Sequence, residues 1–430
     1  MPDSAERVGD AASLLGAIQR AVGSIEIDGL ISDLQTLKLP PGTNLRGLGE
    51  NAELRFRKGQ PGLLLTAGHD ISRLRLVTDE TQTALALSDE AEDLGTLRIS
   101  DVVAVGRVHL EGTRATRGDL KLRNIHVEQA DARLAAHRPA GFGVEVLLGA
   151  LSVYNFSKDP ASRWTLEARN LSAGSKQHPV RGSGVFIFGG AFIPIDADPA
   201  TAPAPTAPGG SIDLAIVTTG EVHSDGGIPA GVGNLITGGV FIGSGVSARD
   251  VVSEGPTATY GPNDMVLDNW GKVDSWTATG KVTSFGSSGI GFVNFGDIRA
   301  LKIDAPIETH GLGARGFNLY DGSLGRAEFE SITTYGDGAI GVQLSKPFGC
   351  IAIRHDVRTK GGEGDSLVRG KVVRLQAHAV SLKPGTKGDE IRIGGRAVAE
   401  NDAISDWEFA APASVVDRIE ADGRPVTSDA

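Results

Sequence analysis

Between Lys272 and Arg369 short β-type runs return at a fixed interval. Val282-Thr283-Ser284-Phe285, Ile307-Glu308-Thr309-His310, Ile332-Thr333-Thr334-Tyr335 and Val357-Arg358-Thr359-Lys360 each lead into a glycine. Those glycines are Gly286, Gly311, Gly336 and Gly361, and 311−286, 336−311 and 361−336 are all 25. A second apolar run follows in the middle repeats, as in Gly316-Phe317-Asn318-Leu319 and Gly341-Val342-Gln343-Leu344. Periods of this size mark repeat architectures. Apolar and polar residues alternate within the repeat and no helical spacing occurs, which predicts strands with one face inside and one in solvent. The expected fold is all-β, a coil of parallel strands. Gly226 and Gly255 read as earlier counterparts, with gaps of 255−226 = 29 and 286−255 = 31 residues.

The rest of the chain fits around that coil. Residues 5 to 22 predict an amphipathic helix, with Leu14, Ile18 and Val22 on one side, Ser4 as N-cap and Gly23 as stop. Residues 1–23 are thus expected to cap the open end of the solenoid, residues 24–395 to form it, and residues 396–430 to close it as a C-terminal cap or tail. Strand-like pieces such as Leu63-Leu64-Leu65, Leu97-Arg98-Ile99 and Leu120-Lys121-Leu122 carry the coil through a more charged first part. Ala140 to Ile195 is more apolar and is expected to hold a longer loop or sheet extension. The Pro- and Ala-rich run 196–210 reads as a flexible surface loop.

The run from Leu14 to Phe56 carries a resemblance, above all Leu37-Lys38-Leu39-Pro40-Pro41-Gly42-Thr43-Asn44-Leu45-Arg46-Gly47-Leu48-Gly49-Glu50. It resembles the opening of right-handed parallel β-helix proteins of the pectate-lyase-like superfamily, in which a helix caps the coil and a Leu-Pro-Gly-rich turn begins it. Ile332 to Leu344 is similar to passenger coils of bacterial autotransporters. The first resemblance implies a right-handed parallel β-helix and a carbohydrate ligand, with lyase, hydrolase or glycan-rearranging chemistry if the protein is an enzyme. The second implies a non-catalytic surface scaffold. The polygalacturonase signatures are missing as a set, although Thr309-His310-Gly311 and Arg358-Thr359-Lys360 echo two of them.

Composition changes the picture in three places. The chain has 59 Gly among 430 residues, well above the usual ~7%, as a fold with many tight turns requires. A net charge of −11 argues against nucleic-acid and anionic-membrane partners. Cys350 is the single cysteine, so no intrachain disulfide forms. The first residues lack the basic and apolar regions of a signal peptide, which places the chain in the cytoplasm unless a signal was removed.

Candidate chemistry falls on two columns. Residues just before the repeat glycines are Asp225, Glu254, Phe285, His310, Tyr335 and Lys360, stacked about 4.8 Å apart if coils pile up. His310, Tyr335, Asp225 and Glu254 are the candidate acid–base set, with Lys360 as a ligand contact; the alternative is a solvated turn position that tolerates any polar residue. Trp270, Phe295 and Tyr320 are also 25 apart (295−270 and 320−295) and are expected to form an outward aromatic strip on which sugar rings pack. The alternative is that a loop or a second copy of the chain covers the strip. By the same alternation Asn269 and Asn294 point inward as a ladder. Gly311-Leu312-Gly313-Ala314-Arg315-Gly316 and Gly336-Asp337-Gly338-Ala339-Ile340-Gly341 match a dinucleotide fingerprint, but a strand rather than a helix follows each, so they read as repeat turns and no cofactor is expected. Asp264 and Asp268 with Asn263 lack enough companions for a calcium shell, and no metal is expected.

Overall fold

The computed structural model describes residues 5–135, 138–190, 209–229, 231–368, 371–412 and 415–427. It is an all-β parallel β-helix. Each coil of the second half has three strands, and every strand pairs in parallel with its counterparts one coil before and one coil after. On the first face these are Lys272–Ala278, Asp297–Ile303 and Ser323–Phe329. On the second face they are Val282–Ser284, Ile307–Thr309 and Ile332–Thr334. On the third face they are Ile290–Asn294, Arg315–Leu319 and Ile340–Leu344. In the first half, faces one and two are merged into long bent strands such as Arg117–Gln129, Arg163–Ala173 and Ser211–Asp225. The last of these splits, pairing onward with both Val246–Ser253 and Thr257–Thr259.

The register stacks like on like. Val273, Ile298, Leu324 and Phe348 succeed one another on the first face, all pointing inward and all buried. Each such side chain contributes roughly 2 kcal/mol by leaving water. Asn269 and Asn294 also face inward, and Asn269 Nδ2 donates to Asn294 Oδ1 at 2.8 Å, as the alternation requires. Asn294 in turn donates to the Gly296 carbonyl at 2.7 Å. The ladder thus ties two successive turns to one another without leaving a buried amide unmet.

The four repeat glycines do lie one above another. A Cβ added to Gly311 would collide with the carbonyl oxygen of Gly286, one on Gly336 with that of Gly311, and one on Gly361 with that of Gly336. Close backbone approach, not positive φ, is why glycine stands there. Gly286 rests on Gly261, not on Gly255. Gly255 belongs to another corner, between Gly220 and Gly280. The counterpart of Gly286 is therefore Gly261 and not Gly255: both glycines sit at bends between short strands, and only the pairing register separates the two corners.

The ends and insertions complete the frame. The helix is Ala11–Gln19, shorter than expected, with Asp10 as N-cap: Ser13 N donates to Asp10 Oδ1 at 2.9 Å. Ser4 lies outside the described residues. Leu14 and Ala17 press on the first coil, and a strand, Glu6–Val8, pairs in parallel with Ser24–Leu34. At the other end Val416–Ala421 folds back on Arg424–Pro425 in antiparallel fashion. Two hairpins interrupt the coils over the third face. One joins Ala140–Gly141 to Val144–Val146, and the other joins Glu363–Val368 to Lys371–Gln376. The second stretches its coil to 380−342 = 38 residues. Most of the loop expected at 196–210 lies outside the described residues.

Candidate functional site

The outer surface of the third face carries an apolar cluster of its own. Tyr154, Phe186, Phe188, Phe241, Trp270 and Val293 form a second cluster outside the solenoid core. Phe186 and Phe188 stack 5.6 Å apart, and Phe241 packs 5.2 Å from Trp270. Asp268 sits in the same outward row as Phe241 and Val293. It is wholly buried, and neither carboxylate oxygen finds a hydrogen bond in spite of the adjacent Trp270 indole. Burial raises it well above the ordinary carboxylate range, so the proton stays on.

Trp270, Phe295 and Tyr320 form the predicted column, with Trp270–Phe295 centroids at 5.7 Å and Phe295–Tyr320 at 4.7 Å. The strip is not open along its length. Phe142, at the tip of the first hairpin, lies 5.0 Å from Trp270 and 4.8 Å from Phe295, and Trp270 is 5% exposed. Phe142 divides the space above the strip in two. On one side a narrow cleft runs over Phe295, Tyr320, Asn318 and Arg315. On the other a groove of ≈ 390 Å³ opens past Trp270 and Phe295 toward Ser247, Lys272 and Asp297. Glycines 245, 271 and 296 form its floor. Ser247, Lys272 and Asp297 also line a larger groove of ≈ 620 Å³ on the first face, where Asp213, Arg249, Asp274 and Arg299 alternate in charge. The two grooves form one channel with an aromatic corner and a polar floor. Arg299 and Asp274 pair at 3.6 Å, and Asp297 accepts from Ser323 at 2.6 Å.

The candidate acid–base set lies on the opposite edge of the third face. By register Asp225, Tyr260, Phe285, His310, Tyr335 and Lys360 form one column, since Ser224 pairs with Thr259, Thr259 with Ser284 and so on upward. Tyr260 takes the place expected for Glu254. Glu254 is exposed at the corner between the first two faces, because its neighbour Ser253 ends a first-face strand paired with Ala278. The rings are nearly parallel: Tyr260–Phe285 at 5.2 Å and 9°, Phe285–His310 at 5.1 Å and 10°, His310–Tyr335 at 4.5 Å and 11°. The Lys360 ammonium caps the pile 4.7 Å from the Tyr335 ring. At the lower end His223 contacts the Tyr260 hydroxyl at 2.8 Å and Glu221 at 2.5 Å. Asp225 is engaged by Arg181 and by Gly227 N.

In such a stack each ring face is covered by the next, and only edges meet water. It stiffens the corner and offers no faces to a sugar. The structure therefore brings His310, Tyr335 and Lys360 together, leaves Asp225 three coils below His310 in the same column, and brings Trp270, Phe295 and Tyr320 together. It keeps the two groups apart by the length of a third-face strand, about 15 Å. Sequence reasoning missed Lys272, Asp297, Asp274 and Asp213, because charged residues on an exposed strand face carry no signal until the register shows them lining one groove.

Asp264 is a second wholly buried acid. Its carboxylate accepts from Gly226 N at 3.0 Å, Gly261 N at 2.7 Å and Thr237 Oγ1 at 2.8 Å. Burial outweighs these bonds and raises it to about 6. It fastens two stacked turns, a role that leaves no carboxylate oxygen turned toward an ion. Among the described residues no group of three or more His, Cys, Asp or Glu is placed to hold a metal ion, and no helix is long and apolar enough to cross a membrane.

Fold and site together define a parallel β-helix with a mixed aromatic and charged channel on its flank. The chain matches no protein-family model, and the search of curated proteins gives no match either.

Proposed function

We propose that the protein binds a carbohydrate chain in the channel that runs from Trp270 and Phe295 to Asp213 and Arg299. One observation carries this reading: an aromatic corner opens directly onto a floor of paired acids, bases and hydroxyls, with glycines keeping the floor low. Sugars present both surfaces, C–H faces for the aromatic corner and hydroxyls that donate and accept for the charged floor. A chain is the fitting ligand because the channel crosses several coils and stays open along its length. The pectate-lyase-like resemblance of Leu37 to Glu50 belongs to this proposal and agrees with it. We place binding in the channel and assign the ring stack around His310 to the scaffold.

The test is a glycan-array screen of the wild type and of Lys272→Ala and Asp297→Ala. Both side chains are exposed, so the melting temperature should hold while the signal from any retained glycan drops at least tenfold. No glycan retained by the wild type would favour the scaffold alternative. Binding unchanged in both variants would remove the channel as its seat.

A further inference from the structure

The cleft on the far side of Phe142 has a different chemistry. It encloses ≈ 60 Å³, room for a compact head group and not for a chain. Arg315 lies in its wall, on the third-face row between Ile290 and Ile340. Its side chain is 4% exposed. A guanidinium removed from water is normally matched by a carboxylate, since an unmatched buried charge costs several kcal/mol. Here every partner is neutral. Nε donates to Gln343 Oε1 at 3.1 Å, and Nη1 donates to Gly313 O at 3.2 Å and to Ser366 Oγ at 3.0 Å. Among the described residues no acid pairs with Arg315, and Nη2 makes no hydrogen bond.

The surroundings add donors rather than acceptors. Gln343 Nε2 donates to Asn318 Oδ1 at 3.4 Å, which engages the carbonyl end of an amide that lines the cleft and leaves its NH2 end as the donor Asn318 can offer a ligand. The remaining wall is mostly apolar, with Phe295, Ile290, Met265 and Leu367, and Asn263, Ser288 and Tyr320 add polar groups to it. Ser366 reaches in from the second hairpin and itself donates to Gly313 O at 2.8 Å, so the hairpin holds the arginine in place. Burial lowers the guanidinium only to about 10, and it stays charged at neutral pH. A positive charge, a second donor and an apolar wall in a small space form a receptor for an oxyanion on a compact apolar body.

We infer that Arg315 and Asn318 bind the anionic head of a small organic acid in the cleft between the two hairpins. The site is separate from the channel and does not rest on the carbohydrate reading. Isothermal titration of the full chain with benzoate tests it, with benzyl alcohol as the neutral counterpart. Benzenesulfonate and phenyl phosphate show whether the head group must be a carboxylate or any oxyanion. Benzoate should bind the wild type saturably and at least tenfold more tightly than benzyl alcohol. Arg315→Met should bind the two alike. Asn318→Asp supplies the missing carboxylate within the protein and should also lose benzoate, with melting temperature maintained. If Arg315→Met fails to fold, Asn318→Asp alone decides. Benzoate no tighter than benzyl alcohol on the wild type, or undiminished in Asn318→Asp, would overturn the inference.

Discussion

At the scale of single residues, the buried polar groups separate into those that hold turns and those that await something. Asp264 holds turns, and its raised value of about 6 has a defined consequence. A carboxyl raised above its unfolded value of 3.8 binds its proton more tightly when folded. Its stabilising contribution is full below pH 3.8 and is lost as pH rises through 6. The shift corresponds to about 3 kcal/mol. Urea unfolding from pH 4 to 7 should therefore show the stability of the wild type falling relative to Asp264→Asn, and a constant difference between the two would refute it. Asn294 is a different case. It bridges Asn269, Gly296 and the next coil, so Asn294→Ala should lower stability by about 2–3 kcal/mol, the penalty for leaving buried amide partners unmet. Equal denaturation midpoints would show that the ladder contributes nothing.

At the scale of elements, the repeat is a rule about what can lie on what. Gly311 permits its turn to rest on the Gly286 carbonyl, and the neighbour is backbone, which cannot swing aside. Gly311→Ala should cost about 3 kcal/mol, as overpacking against fixed atoms does. Gly23→Ala, where an added Cβ meets nothing within 4 Å, should be neutral within about 0.5 kcal/mol. Thermal melts of the two variants side by side check the contrast. The hairpins are elements of another kind. They obey no repeat, and they convert a flat aromatic face into a cleft and a channel by placing Phe142 between them. Phe142→Ala should merge the two spaces and expose Trp270, so acrylamide should quench tryptophan fluorescence more strongly in the variant. Unchanged quenching would mean that Phe142 does not shield the indole.

At the scale of the whole molecule, the solenoid is a linear stack whose two edges of the third face have been given different tasks. One edge carries the ring pile from Tyr260 to Tyr335, continuous over four coils, which ties each coil to the next. The other carries Trp270, Phe295 and Tyr320 and opens onto ligand-sized space. Because a solenoid is stabilised chiefly between neighbours, insertions at 140–146 and 363–376 can be carried on its surface without disturbing the registers of faces one and two.

Much of this architecture was written in the order of residues. A 25-residue interval with alternating apolar positions can only bury its side chains by coiling, so the parallel strands, the glycine pile, the inward asparagines and the column of Trp270, Phe295 and Tyr320 were legible from local pattern. The partnership of distant segments was not. That Tyr260 rather than Glu254 joins His310 depends on register across a coil of unequal length. That Phe142 lies over Trp270 depends on a hairpin arriving from more than a hundred residues earlier. The missing acid beside Arg315 is visible only once all its neighbours are in place, because burial and charge balance are properties of an environment and not of a sequence interval.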